Sequence, residues 1–600
     1  MKKTKRPIDS LVSESYGWFG TSYILLKKTE IKLWKAALII AFVTGAAGAL
    51  IWSVSFDFHD SSKAAGPSPV LTKDNNADKG DQKNAPNPKD SLSEKIAKIK
   101  PVFPEVGGTV YVDYTTNVYK WDGKNRPEET RTVIANYHKN PELIKEQLKK
   151  MYEMGQRQIT LNLWYVESSK TDSSKRWPDN IFIHTVVPQN AALTKLHEKN
   201  LKDLLKNIKE TGYQKIYFRF CTQGGASPND WDKWEEKKYQ NNWNFIVNVR
   251  SVIKSELGSS VPVIFDLDGE YGGSTTNQAA TYTKRLWSDY VKKFGPSDSY
   301  GFSFAVTPGR VKEMIKIYDE VGTRPSMYAL DVYGKIFGLP SEYEQLRSPA
   351  QELKEAGEDK KPVIIQETYE NNVKAAAGFL KAKKDYNLNI RAVFQWPNAF
   401  INPALQPLHW TKDYAPKYSA YLGGGQINAP DECIFKGNSK TCSADISWSS
   451  IYDNVCVFVQ KNKEEKKLFV CGKEGTQAAP WITEDSFIFE LRATSDPSSD
   501  LIDIHEIRGK KAYIKAVPEE CKLDRPGPCT TQIFWNAPGG NVCVFARNLT
   551  KKDSKKFACG LKEFTREAPW ITKDGAIFEL REGSKSDSPL LDSVTVMGVK

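Results

Sequence analysis

Before position 430 the 600-residue chain has one cysteine, Cys221; the other eight of its nine lie beyond it. No C-x-x-C pair or comparable metal motif occurs, which argues against a zinc centre, and neither a metal nor another cofactor is expected. No glycine-rich phosphate loop follows the first predicted strand, which argues against a dinucleotide-binding fold. No serine nucleophile elbow is present, which disfavours a serine esterase or protease. Charge of one sign is also thin. Lys+Arg 85 against Asp+Glu 73 leaves +12 over 67.7 kDa, too dilute to argue for nucleic acid, though it favours an anionic surface or polymer. What is there is ordinary globular material, 40% hydrophobic and 26% charged, at a length that implies several domains.

A single long apolar run occurs. Residues 36–56 (AALIIAFVTGAAGALIWSVSF) carry no charge and suffice for one transmembrane helix, with Trp34 and Trp52 near its ends. Lys2, Lys3, Lys5, Arg6, Lys27, Lys28, Lys32 and Lys35 precede it, and Asp57, His59 and Asp60 follow. The positive-inside rule places residues 1–35 in the cytoplasm and the rest outside, periplasmic or extracellular. The long N-terminal flank favours an uncleaved anchor over a cleaved signal peptide. Residues 57–103 read as a flexible linker, most clearly from Asp60 to Ser91, where almost nothing is apolar.

Residues 104–425 alternate β-rich runs with amphipathic stretches eight times, the pattern of a (β/α)8 TIM barrel. Leu201, Leu204, Leu205 and Ile208 fall at helical spacing, and Gly212 follows where a C-terminal cap is expected. Such barrels place their chemistry at the C-terminal ends of the strands. In the fourth strand (VPVIFDLDGEY) Val263, Phe265 and Leu267 share one face and Asp266, Asp268 and Glu270 the other, which points inward. Crowded, desolvated carboxylates raise one another's pKa, which suits a general acid. The seventh strand stays apolar until Glu367. Polar groups mixed with rings (Asn162 and Trp164 on the second strand, Arg219 on the third, Asp331 and Tyr333 on the sixth, Trp396 on the eighth) suit a sugar, whose C–H faces stack on aromatics. Arg219 reads either as neutralising a carboxylate from inside the barrel or as a structural residue, and Cys221 reads as a buried small hydrophobe.

These residues resemble a glycoside hydrolase barrel. In the retaining two-glutamate clan a Glu closes the fourth strand as acid/base and another closes the seventh as nucleophile; Glu270 and Glu367 match. The resemblance further implies that Tyr333 orients the nucleophile and that Trp396 forms the floor. The clan usually has Asn before the acid/base, where this chain has Gly269. A second resemblance is to chitinase-type barrels, through Asp266, Asp268 and Glu270 of DLDGEY. There Asp268 would steady a substrate acetamido group, Glu270 would donate the proton, and Glu367 would have no part.

Beyond Leu422 the chain repeats itself: WSSIYDNVCVFVQ recurs as WNAPGGNVCVFAR, and FIFELR as AIFELR. Each copy, 430–516 and 517–600, reads as a disulfide-containing β-sandwich, immunoglobulin-like in architecture. Of the three connectivities each set of four cysteines allows, the hairpin-like stretches favour Cys456–Cys471 and Cys543–Cys559. Cys433–Cys442 and Cys521–Cys529 then remain. Trp448/Trp535 and Trp481/Trp570 read as core residues or as glycan-stacking ones. The expectation is a membrane-anchored glycosidase acting on an extracytoplasmic polysaccharide beside cell-surface polysaccharide machinery; a non-catalytic glycan-binding protein is the alternative.

Overall fold

In the computed structural model the described residues are 91–111, 119–121, 124–126, 133–167, 186–269, 277–334, 340–396, 415–436, 439–462, 464–523, 527–537, 542–550, 553–560 and 563–599. The expected cytoplasmic segment, the span at 36–56 and most of the linker lie outside them, as does Glu270. Among the described residues no helix is long and apolar enough to cross a membrane.

Eight barrel strands run parallel. They are Gly108–Tyr111, Gln158–Val166, Lys215–Gln223, Val263–Asp266, a fifth in two runs (Ser299–Gly301 and Ser303–Ala305), Tyr328–Asp331, Val363–Glu367 and Ile390–Gln395. The first half of the fifth strand pairs with the fourth, and its second half pairs with the sixth. The two ends of the sheet are thus one strand, and the ring closes around Phe302. Gly301 permits the break: its φ is +76°, and a Cβ there would lie 2.5 Å from the Tyr318 hydroxyl.

Helices separate the strands, and their apolar stripes cover the outer faces. Lys195–Thr211 is representative. Thr194 caps its first turn by accepting from the His197 N–H, and Gly212 ends it at φ +102°. Between these caps Leu201, Leu204, Leu205 and Ile208 are buried in the barrel core.

The fold begins earlier than the expected linker end at 103. Ser91 and Glu94 form a capping box for the helix Leu92–Ile96, and Ile96, Ile99 and Phe103 enter the barrel core. Apolar side chains spaced three or four apart give this stretch a face to bury, which the polar segment before it lacks.

Each C-terminal repeat has a three-stranded and a five-stranded sheet. In the first, Gly425–Asn428, Cys442–Ser450 and Glu474–Ile482 form the smaller sheet. The larger runs in the order Glu432–Phe435, Leu501–Lys511, Ser486–Arg492, Cys456–Lys461, Lys467–Cys471, and one core draws on both sheets. The second repeat has the same order, beginning at Tyr513–Val517. The modules therefore start at 425 and 513, a few residues before the expected 430 and 517. Disulfides join Cys433–Cys442, Cys456–Cys471, Cys521–Cys529 and Cys543–Cys559.

Candidate active site

Asn162, Arg219 and Asp266 are cross-strand neighbours on the second, third and fourth strands, so their side chains share the barrel interior. Arg219 is fully buried and organises this layer. Its Nε donates to Asp266 Oδ2 at 3.0 Å and its Nη2 to Ser303 Oγ at 2.7 Å, with Asp331 Oδ2 at 3.4 Å. Its Nη1 donates to Glu367 Oε1. The other oxygen of Glu367 accepts from the Tyr333 hydroxyl at 2.9 Å. Both oxygens of Glu367 therefore accept hydrogen bonds, which hold the carboxylate in one orientation.

Glu367 reaches this position through a shift in strand register. The seventh strand pairs Ile365 with Leu330 and then Glu367 with Asp331, skipping a residue. Gln366 also faces inward, donating to Thr160 Oγ1 at 2.8 Å and accepting from the Tyr300 hydroxyl at 3.2 Å. Strict alternation would have sent one of these two neighbours outward.

One guanidinium faces three buried carboxylates, a surplus of negative charge. Burial pushes the Asp331 carboxyl well above the usual range; Arg219 opposes the shift, and Glu367 and Asp266 add to it. Burial also raises Asp266, against the pull of Arg219 and Ser303. Asp268 sits apart, accepting from the Thr222 N–H at 3.2 Å and from its hydroxyl at 2.9 Å. Burial raises it to about 7 despite those bonds. The interior can thus hold protons at neutral pH.

At Gly269 there is no room for a side chain. A Cβ there would lie 2.9 Å from Cys221 Sγ and 3.1 Å from Arg219 Nε, so the arginine occupies the room a side chain would need. Cys221 is buried with its thiol raised far above the usual value, which leaves it unreactive. Asn162 is buried, and among the described residues neither of its amide atoms has a hydrogen-bond partner.

Glu367 and Trp396 are each 1% exposed, and Trp164 is buried as well. Five segments that follow barrel strands at this end (112–118, 168–185, 270–276, 335–339 and 397–414) lie outside the described residues. Among the expected site residues the structure brings Arg219, Asp331, Tyr333 and Glu367 into one network, with Asn162 beside it and Asp268 a short way off. Ser303, Tyr300, Gln366 and Thr222 also take part and carry no motif that would have singled them out. In the repeats, Trp448 and Trp535 are core, whereas Trp481 and Trp570 are 37% and 42% exposed. Among the described residues no cluster of side chains is arranged to hold a metal.

No protein-family model matches the chain, and no curated protein does. Among solved structures, the chain is similar to a glycosyl hydrolase family 2 member from Bacteroides cellulosilyticus, at 10% identity and TM-score 0.30, covering 76% of this chain and 58% of that one. The chain thus spans less than two thirds of that relative's length. It is also similar to an endo-1,4-β-D-mannanase from Thermotoga petrophila, at 16% identity and TM-score 0.30, over 44% of this chain and 86% of that one. A modular endo-β-1,4-mannanase from Cellulomonas fimi aligns at 11% identity and TM-score 0.26, over 59% and 87%. None of these alignments reaches a TM-score of 0.5, so the functional reading rests on the chemistry of the site.

Proposed function

We propose that the chain is a retaining glycoside hydrolase acting on an extracytoplasmic polysaccharide, with Glu367 as nucleophile and Glu270 as acid/base. The observation that carries this reading is the bonding of Glu367. A carboxylate nucleophile must be fixed in orientation at the end of its strand, and the bonds from Arg219 and Tyr333 fix Glu367 there. Gly269 lies against the same guanidinium. A carboxyl separation of about 5–5.5 Å is what retention requires.

The chitinase-type alternative assigns Asp268 to the substrate and leaves Glu367 without a task. Here Asp268 is bonded to Thr222, while both oxygens of Glu367 are held, one by Arg219 and one by Tyr333. The proposal includes tethering by residues 36–56, with the barrel outside the membrane. The four disulfides fit that side, since cystines persist in oxidising compartments. A polysaccharide partner, handled beside cell-surface polysaccharide machinery, follows from the same placement.

Glu367→Gln and Glu270→Gln should each lower kcat by about 10³-fold or more on a panel of aryl glycosides and polysaccharides, with the fold unchanged by circular dichroism. Proton NMR of the first-formed sugar should show the starting anomer. Unaltered turnover in Glu367→Gln would end the two-glutamate mechanism. Inversion would end retention.

A further inference from the structure

The two repeats share a topology and a cross-strand register, so their positions can be equated strand by strand. Trp448 pairs with Ile427 and Trp535 with Ile514, which makes Gln426 equivalent to Tyr513. Glu490 pairs with Ile504 and Glu579 with Ser593, and Phe489 with His505 as Phe578 with Val594. Structural positions agree across the copies: Asp503 accepts from the Ile427 N–H as Asp592 does from the Ile514 N–H.

The differences gather on one side of repeat 1, the side against the barrel. Ile504 is buried in the barrel core, and Ile451, Ile488 and Leu501 pack against it, whereas the equivalent Ser593 and Leu590 are exposed. His505 lies 3.4 Å from Lys417 of the connection that follows the eighth strand; repeat 2 has Val594 there. In repeat 2 the buried Glu579 is paired by its own Arg547 and Arg581. In repeat 1 the position of Arg547 is Gln460, and Lys95, from the helix before the barrel, reaches Glu490 at 3.1 Å.

One contact of this interface touches the turn directly after Glu367. Asn371, at φ +39°, donates from Nδ2 to Gln426 Oε1 at 2.9 Å and accepts from the Ala420 N–H at 2.8 Å. Its own N–H donates to Gln395 of the eighth strand at 2.8 Å. Two residues earlier, Tyr369 donates to the Gly334 carbonyl at 2.7 Å and packs edge-on against Tyr333, the donor to Glu367. A continuous set of contacts therefore runs from the first strand of repeat 1 through the turn to the residue that orients Glu367.

We propose that repeat 1 is a fixed part of the catalytic unit, in which Gln426 and Asn371 are positioning residues that hold the 368–372 turn and thereby Glu367. Repeat 2, which lacks the matching residues, has no such role. The kinetic part of this proposal rests on the hydrolase reading, while the mechanical part does not.

The test uses the full chain. Gln426→Ala should lower kcat by about fivefold with KM unchanged, the scale of one lost hydrogen bond. Gln426→Glu, which keeps the acceptor oxygen, should restore most of it, and Tyr513→Ala, the equivalent change in repeat 2, should leave kcat alone. In parallel, Gln426→Ala should speed amide hydrogen exchange within 368–372 at least severalfold. If Glu367→Gln abolishes turnover while Gln426→Ala leaves both kcat and exchange unchanged, the proposal is overturned and the hydrolase reading stands. If Glu367→Gln leaves turnover intact, the hydrolase reading fails, and the exchange data alone decide whether repeat 1 holds the turn.

Discussion

At the scale of single residues, the decisive fact is one guanidinium shared among three carboxylates. Arg219 cannot neutralise Asp266, Asp331 and Glu367 together, so protonation inside the barrel absorbs the excess. Asp268 adds a fourth acid with a folded pKa of about 7 against an unfolded value near 3.9. The raised value means that the folded state binds the extra proton between roughly pH 4 and 7, so stability is greatest below that window and falls as pH rises through it. Asp268→Asn keeps an acceptor for Thr222 and removes the titration. It should therefore raise the melting temperature at pH 8, by roughly 2–4 kcal/mol in stability, and change it little at pH 4. Equal shifts at both pH values in calorimetry would show that Asp268 does not titrate in that window. How much of this was legible in the sequence depends on the residue. Glu367 was legible because a charge closing an apolar strand needs a reason. Ser303 was not, since nothing local distinguishes a serine that will meet an arginine 84 positions away.

Among elements, periodicity carried the barrel: two apolar periods alternating eight times leave few topologies, and the strand positions follow from them. The features it missed are those where register departs from the ideal. The fifth strand breaks at Gly301, and the seventh turns both Gln366 and Glu367 inward; both depend on partners outside their own strands. The helix Leu92–Ile96 was hidden in a polar neighbourhood because five residues give little periodic signal. Its Lys95 joins Lys466 and Arg492 around Glu490, whose side chain is 1% exposed. Lys95→Ala leaves two cations on that carboxylate, so the loss should be modest, about 1–2 kcal/mol. Arg547→Ala in repeat 2 leaves one among the described residues, Arg581, and should cost its module at least as much. Thermal unfolding of both variants checks the pair; a neutral Lys95→Ala would mean that the N-terminal helix does not brace repeat 1.

For the whole molecule, the cores decide which parts stand or fall together. Repeat 1 has its own core, yet Ile504 belongs to the core of the barrel, and Tyr418, Tyr421 and Leu422 of the connection are buried there as well. Repeat 2 has a separate core and meets repeat 1 through slighter contacts, such as Ile434 against its core and an exposed Lys436–Glu582 pair. Unfolding should therefore occur in two steps, one for residues 513–599 and one for the barrel with repeat 1. The Cys543–Cys559 bond closes a loop with a sequence separation of 16 within repeat 2, and a loop of that size is worth about 3 kcal/mol. Replacing both cysteines by serine should lower the repeat 2 transition by that amount and leave the other transition and glycoside turnover unchanged. The matching change at Cys456 and Cys471 should lower the larger transition instead, because repeat 1 melts with the barrel. Scanning calorimetry of the two variants separates the cases. A single transition that moves equally in both would show that repeat 2 is coupled to the barrel as firmly as repeat 1.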